Sequence, residues 1–197
     1  ARLQEIVPDA VLVGDSAAHA ALSGVSVEAT VTARSGSDAA TARGGLLFTH
    51  RGWSGPAILD VSHVVSRAFA AGRGFEVTAA LGCGAEEWDA RLRAGSGTLL
   101  GLLRRSLPER VASLLLETAG VVPDTPLHRL PREARRSVVS SLAAFPLPVA
   151  GTEGYRTAEV TAGGVALEEV DPGSGASRLV PGLFVAGEIL DAVGPIG

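Results

Sequence analysis

The chain has 197 residues, 46% of them hydrophobic and 19% charged, enough for one domain or two small ones with a buried core. Its net charge is −4, and its seventeen basic residues are all arginines scattered along the chain, so there is no basic face and nucleic acid is not an expected partner. One cysteine, Cys83, excludes a disulfide framework and a thiolate zinc site, no apolar run approaches the roughly 18 residues that span a bilayer, and no signal-peptide pattern opens the chain, which leaves the cytoplasm as the expected compartment.

In chain order, Ile6 to Val13 is apolar but broken by Pro8 and Asp9, and Gly14-Asp15-Ser16 reads as a turn. Val25, Val27, Ala29, Val31 and Ala33 alternate with Ser26, Glu28, Thr30 and Thr32, the period of a half-buried strand. Arg34 to Arg43 is rich in Ser, Ala, Gly and Asp and reads as a surface loop, with Gly45 to Thr49 as the returning strand of an antiparallel pair. Pro56 suits the first turn of a helix capped by Ser54 or Gly55, with Ile58, Val61, Val65 and Phe69 on one face and Gly72 closing it. Phe75 to Leu81 is a further strand.

From Gly82 the pattern turns helical: Ala85–Ala94, Thr98–Leu107, Pro108–Ala119 and, after a linker from Val121 to Pro126, Pro131–Phe145. Extended segments resume at Pro146–Ala150, Tyr155–Thr161, Val165–Val170 and Leu183–Ala186, the last a buried strand, with Asp171–Ala176 as a flexible loop. The fold class is therefore α+β, a β-barrel-like antiparallel body with an inserted small helical subdomain. The divisions are 1–82 (β-rich), 83–145 (helical), 146–177 (β-rich) and 178–197. The chain starts at Ala1 and has no methionine, which reads as a mark of trimming or excision.

Chemistry candidates are few. The histidines His19, His50, His63 and His128 show no metal-ligand spacing, so no metal site is expected. His50 ends a strand before a Gly-rich helix entry, where free backbone N–H groups can meet an anion. Local hydrogen bonding, with Gly52, Ser54, Gly55 and Pro56 simply building the turn, is the simpler reading. Ser54 lacks the spacing of a nucleophile elbow, which makes a serine hydrolase using Ser54 with His50 the weakest alternative. Cys83 reads as a small structural residue. Gly187-Glu188 ends the Leu183–Ala186 run with an acid, and Asp191 follows three residues on; a capped turn and a ligand contact explain them equally well. Thr161 to Gly164 fits a close backbone approach or a β-bulge.

Several motifs carry a resemblance. Leu47-Phe-Thr-His-Arg-Gly-Trp-Ser-Gly-Pro-Ala-Ile58, Gly154-Tyr-Arg-Thr-Ala-Glu-Val-Thr-Ala-Gly-Gly-Val165, Glu169-Val-Asp171 and Gly182-Leu-Phe-Val-Ala-Gly-Glu-Ile-Leu-Asp-Ala-Val-Gly-Pro-Ile-Gly197 stand in order along the chain. Together they resemble the HI0933-like (BaiN-type, aminoacetone oxidase family) FAD-dependent oxidoreductases. The resemblance implies an inserted domain of barrel plus helices covering the flavin, with residues 178–197 starting the return into a Rossmann-type FAD domain. It implies FAD as cofactor of the complete protein and cofactor contacts from Gly187, Glu188, Asp191, Gly194, Pro195, Ile196 and Gly197. Glu188 would hold the ribityl hydroxyls, with His50 as the candidate substrate-side wall. The implied partners are the flavin-binding domain of the same protein and a small-molecule substrate, with NAD(P)H open as electron source. The fingerprint GxGxxG is absent, so the chain alone lacks the pyrophosphate cradle. A non-catalytic lid or interaction module is the alternative.

Overall fold

The computed structural model describes residues 3–9, 12–14, 20–158 and 160–192. Its strands are β1 (Leu3–Asp9), β2 (Leu12–Gly14), β3 (Ser26–Ser35), β4 (Asp38–Phe48), β5 (Gly52–Ser54), β6 (Glu76–Leu81), β7 (Phe145–Pro146), β8 (Val149–Thr152) and β9 (Val160–Val165). The helices are α1 (Pro56–Ala70), α2 (Ala85–Ala94), α3 (Leu99–Leu103), α4 (Glu109–Thr118) and α5 (Arg132–Ala143). The fold class is α+β, as the alternating and helical periods imply.

β3 follows its sequence period: Val27, Ala29, Val31 and Ala33 are buried, and the residues between them face outward or are half-buried. Its pairing with β4 runs much further than the polar composition of Arg34–Arg43 suggests. The register continues to Ser35↔Asp38, leaving only Gly36 and Ser37 as the turn. Gly36 has φ 60, which the first central position of a two-residue hairpin can require. Small residues such as Ala39 and Ala40 carry little strand propensity of their own, and here the ladder to β3 decides.

Seven strands form one sheet in the order β7-β6-β3-β4-β5-β2-β8, and every neighbouring pair is antiparallel. β7 and β8 stand at its opposite edges, yet only Leu147 and Pro148 separate them in sequence. Three Cα steps reach at most roughly 11 Å, so the edges must come together and the sheet rolls into a barrel. Trp53 of β5 ties this seam: it is fully buried, its Nε1 donates to the Pro148 carbonyl at 3.1 Å, and its ring meets Phe48 edge-on at 5.4 Å.

α1 is buried on most of its circumference, including Ile58, Leu59, Val61, Val64, Val65 and Ala68, because it lies between β3 and β4 on one side and β1 on the other. Its entry is made by glycine. A Cβ on Gly55 (φ 96) would stand 2.4 Å from the Gly45 carbonyl oxygen, and the bare face of Gly44 receives Pro56 and Ala57. Phe69, expected inward, is more than half exposed, its ring lying against Gly151.

α2 to α5 fall between residues 85 and 143 and share one continuous apolar cluster with the barrel. Trp88 pins them to β6: it is fully buried and its Nε1 donates to the Leu81 carbonyl at 2.8 Å. A Cβ on Gly82 (φ 73) would come within 2.9 Å of that indole. Asp89 joins α2 to α5 by accepting from Arg135 Nε at 2.8 Å and pairing with Arg93 at 2.7 Å. The Arg135 hydrogen bond, with help from Arg93, holds its carboxyl below the usual range.

Several expectations change from Phe145 onward. Phe145 belongs to β7, not to the last helix. Residues 154–156 and 167–169 are single 3-10 turns flanking β9, where continuous strands were expected. Asp171–Ala176 is a closed turn, with Asp171 Oδ1 accepting from the Gly173 N–H (3.2 Å), the Ser174 N–H (2.9 Å) and the Ser174 hydroxyl (2.7 Å). These bonds, Ser174 first, hold the Asp171 carboxyl below its ordinary value. No helix among the described residues is long and apolar enough to cross a membrane.

Candidate functional site

His50 stands at the tip of a turn that Thr49 builds. The Thr49 hydroxyl accepts from the N–H groups of Arg51 (3.2 Å) and Gly52 (3.0 Å) and donates to the Gly52 carbonyl at 3.1 Å. Gly52 cannot be replaced without disruption, since a Cβ there would fall 2.1 Å from the Leu12 carbonyl oxygen. The turn leaves His50 exposed at the mouth of an open cleft of about 740 Å³. Val13, Gly14, Arg51, Thr152, Glu153 and Thr157 line the rest, and Arg51 pairs with Glu153 at 3.3 Å within it. The cleft therefore belongs to the barrel end where β2, β5 and β8 meet. Ser54 is the last residue of β5, with Leu47 as its ladder partner, and makes no hydrogen bond to His50 among the described residues.

The acid-bearing tail is held by β9. β1 and β9 form a separate antiparallel pair, and residues 189–191 lie along the free side of β9. The Val165 N–H donates to the Ile189 carbonyl at 2.8 Å, and the Asp191 N–H to the Val165 carbonyl at 2.9 Å. Gly164 (φ 125) makes this possible: a Cβ there would stand 2.3 Å from the Ile189 carbonyl oxygen. The close approach open in the sequence at Thr161–Gly164 is thus to the chain's own tail.

Asp191 serves that docking. Its Oδ1 accepts from the Gly163 N–H at 2.9 Å and pairs with Arg67 of α1 at 3.2 Å. Glu188 differs: it sits in the Gly187–Leu190 turn, exposed, with no hydrogen bond or ion pair among the described residues. Gly187 (φ 82) borders a cleft of about 730 Å³ walled mainly by Leu167, Val170, Pro172, Val185, Ala186 and Leu190, with Glu168, Asp171 and Arg178 at its polar positions. Gly194, Pro195, Ile196 and Gly197 lie outside the described residues.

Leu183–Ala186 is not a buried strand. Phe184 makes one isolated bridge, to Ala176, and it is 67% exposed, with Leu183 at 47% and Ile189 at 57%. An apolar run becomes a buried strand only with a ladder on both sides and cover on both faces, and the described residues supply neither.

Two groups to which the sequence assigned no role frame this region. Arg67 reaches Asp191 from α1, and His63, one helical turn earlier, has a buried Nδ1 with no hydrogen-bond partner among the described residues. Burial first, and then the Arg67 guanidinium, push the His63 imidazole below its usual value. Neither carries a local sequence signal beyond helical spacing. Burial raises the Cys83 thiol above its ordinary value, which suits a packed rather than a reactive cysteine.

An antiparallel barrel that carries a helical insertion, and that docks an exposed, acid-bearing segment on a separate strand pair, defines a barrel-and-helix module. Residues 11–160 match the family model described as "HI0933-like protein barrel and H2TH domain", and the chain belongs to this family. It is 35% identical over 178 residues to a ribosomal RNA dihydrouridine synthase of Escherichia coli, covering 89% of this chain and 42% of that protein. It is 34% identical over 179 residues to the protein of that name from Haemophilus influenzae, covering 90% and 43%. A 3-dehydro-bile acid delta(4,6)-reductase of Clostridium scindens is 31% identical over 90 residues, 46% of this chain and 22% of that protein. The chain spans about two fifths of the length of the two synthases.

Proposed function

We propose that this chain is the barrel-and-helix part of a flavin-dependent reductase that converts uridine to dihydrouridine in ribosomal RNA. The observation that carries the reading is the identity of 35% and 34% to two ribosomal RNA dihydrouridine synthases over nine tenths of the chain. The bile acid reductase adds support for reduction of a ring double bond as the shared chemistry.

Making dihydrouridine adds a hydride and a proton across one uracil C=C bond, and a bound flavin would supply the hydride. The tail fits one edge of such a group. Glu188 is an acid with its acceptors open, suited to ribityl hydroxyls, and Gly187 and the apolar cleft beside it allow close approach. The chain has no GxGxxG cradle, so the pyrophosphate would be held elsewhere in the gene product. Leu183, Phe184 and Ile189 would then pack against the flavin-binding part, which accounts for an apolar run left exposed. His50 and the cleft beside it would form the substrate-side wall.

The test is to purify the full-length gene product, record its flavin absorption, and incubate it with NAD(P)H and ribosomal RNA lacking dihydrouridine. Dihydrouridine in the nucleoside digest, read by mass spectrometry, is the expected result. A protein that binds no flavin after reconstitution defeats the cofactor assignment, and one that binds flavin but forms no dihydrouridine defeats the substrate assignment.

A further inference from the structure

Charge is divided unevenly along this chain. Residues 83–145 hold nine of the seventeen arginines and seven of the twenty-one acidic residues, a net +2, while the remainder holds eight and fourteen, a net −6. The basic groups concentrate further at the start of α5, where His128, Arg129, Arg132, Arg135 and Arg136 fall within nine residues and Glu133 is the single acid.

The fold gathers three of these groups, Arg132, Arg135 and Arg136, around one depression, and Arg129 is exposed three residues before Arg132. Arg132 and Arg136 are four apart on α5 and so share a face, separated by about 6 Å of helix rise. Arg93, in the last turn of α2, meets them across a depression of about 300 Å³ lined by Asp89, Arg93, Arg132, Arg135 and Arg136. Asp89 is the only carboxylate in that lining and is already shared between Arg135 and Arg93. Arg129, Arg132 and Arg136 are exposed and form no ion pair among the described residues.

A shallow depression walled by four guanidinium groups against one carboxylate suits a run of phosphates, because the planar guanidinium fork matches phosphate oxygens bidentately. It has no aromatic platform on which a base could stack. We propose that Arg132 and Arg136, with Arg93 and the exposed Arg129 just before α5, form a contact surface on the helical block for the sugar–phosphate backbone of the RNA. This rests on the reading of RNA as substrate. The acidic remainder would turn the polyanion toward the helical block, and the whole-chain charge of −4 averages over this asymmetry.

The test titrates the full-length gene product with fluorescently labelled ribosomal RNA fragments over a range of salt concentrations. Four proteins are compared: wild type, Arg129→Gln/Arg132→Gln/Arg136→Gln, the matching triple change to Lys, and a barrel control, Arg34→Gln/Arg43→Gln. The Gln triple variant should bind about 10-fold more weakly or worse at physiological salt, with a log–log salt slope shallower by about 2. The Lys triple variant and the barrel control should keep the wild-type slope, and thermal melting should show all four folded. If the wild type forms dihydrouridine but the Gln triple variant keeps its slope, or the control loses as much, the surface assignment fails alone. A wild type that neither binds RNA nor forms dihydrouridine overturns the substrate reading, and this inference with it.

Discussion

His63 lies on α1 beside Arg67, with Asp60 and Asp191 near enough to act on it electrostatically. Burial and the Arg67 charge outweigh the two carboxylates, so the folded protein favours the neutral imidazole. The folded chain then binds fewer protons than the unfolded one below the ordinary imidazole value of about 6.5. The stabilisation is full above that value and is lost as pH falls through the folded-state pKa. Melting temperature should therefore drop between about pH 7.5 and about pH 5.5, and His63→Gln should flatten that interval. A wild-type melting temperature unchanged across the interval would rule this out. At the same scale, Asp191 and Glu188 show why residue type alone left their roles open. One carboxylate is used by Gly163 and Arg67 and the other is unengaged, a difference made by a strand more than twenty residues earlier.

Among the elements, the barrel seam depends most on one side chain. Trp53 joins β5 to the Leu147–Pro148 link through its indole N–H and fills the core against Phe48. Trp53→Phe keeps most of the apolar burial but leaves the Pro148 carbonyl without its donor. A loss of about 2 kcal/mol in chemical denaturation is expected, against about 3–5 kcal/mol for Trp53→Ala. Equal stability of Trp53→Phe and wild type would mean that solvent satisfies the carbonyl and the seam does not rely on this bond. The motif containing Trp53 was legible for its turn chemistry, since Gly52, Gly55 and Pro56 all stand where the backbone demands them. Its strand character was not, because three residues are too few for a period and β5 exists only through β2 and β4.

For the whole molecule, the proposed function gives the tail and the helical block different partners. The tail's exposed Leu183, Phe184 and Ile189 and the unengaged Glu188 would suit the proposed seam with a flavin-binding part. Glu188→Ala in the full-length gene product should lower flavin retention, read as the flavin-to-protein absorbance ratio after dialysis, while the melting temperature of the flavin-free protein stays at the wild-type value. Unchanged flavin occupancy removes Glu188 from the cofactor site. Leu183–Ala186 was legible as apolar and extended but not as exposed, because hydrophobicity states a need for cover and not its source.

Local signals in the chain specify the two-residue period of Val27 to Ala33, the Pro56 helix start, the helical run after Gly84, and the motifs that mark the family. Long-range packing set how far β3 and β4 pair, that β7 and β8 meet in a barrel, and that Gly164 opens β9 to the tail. It also decided that Asp89 pairs with Arg93 and Arg135 and leaves Arg132 and Arg136 beside it without an ion pair among the described residues. Each of these turns on partners far apart in the chain, and local propensity carries no information about which distant backbone or charge will arrive beside a residue.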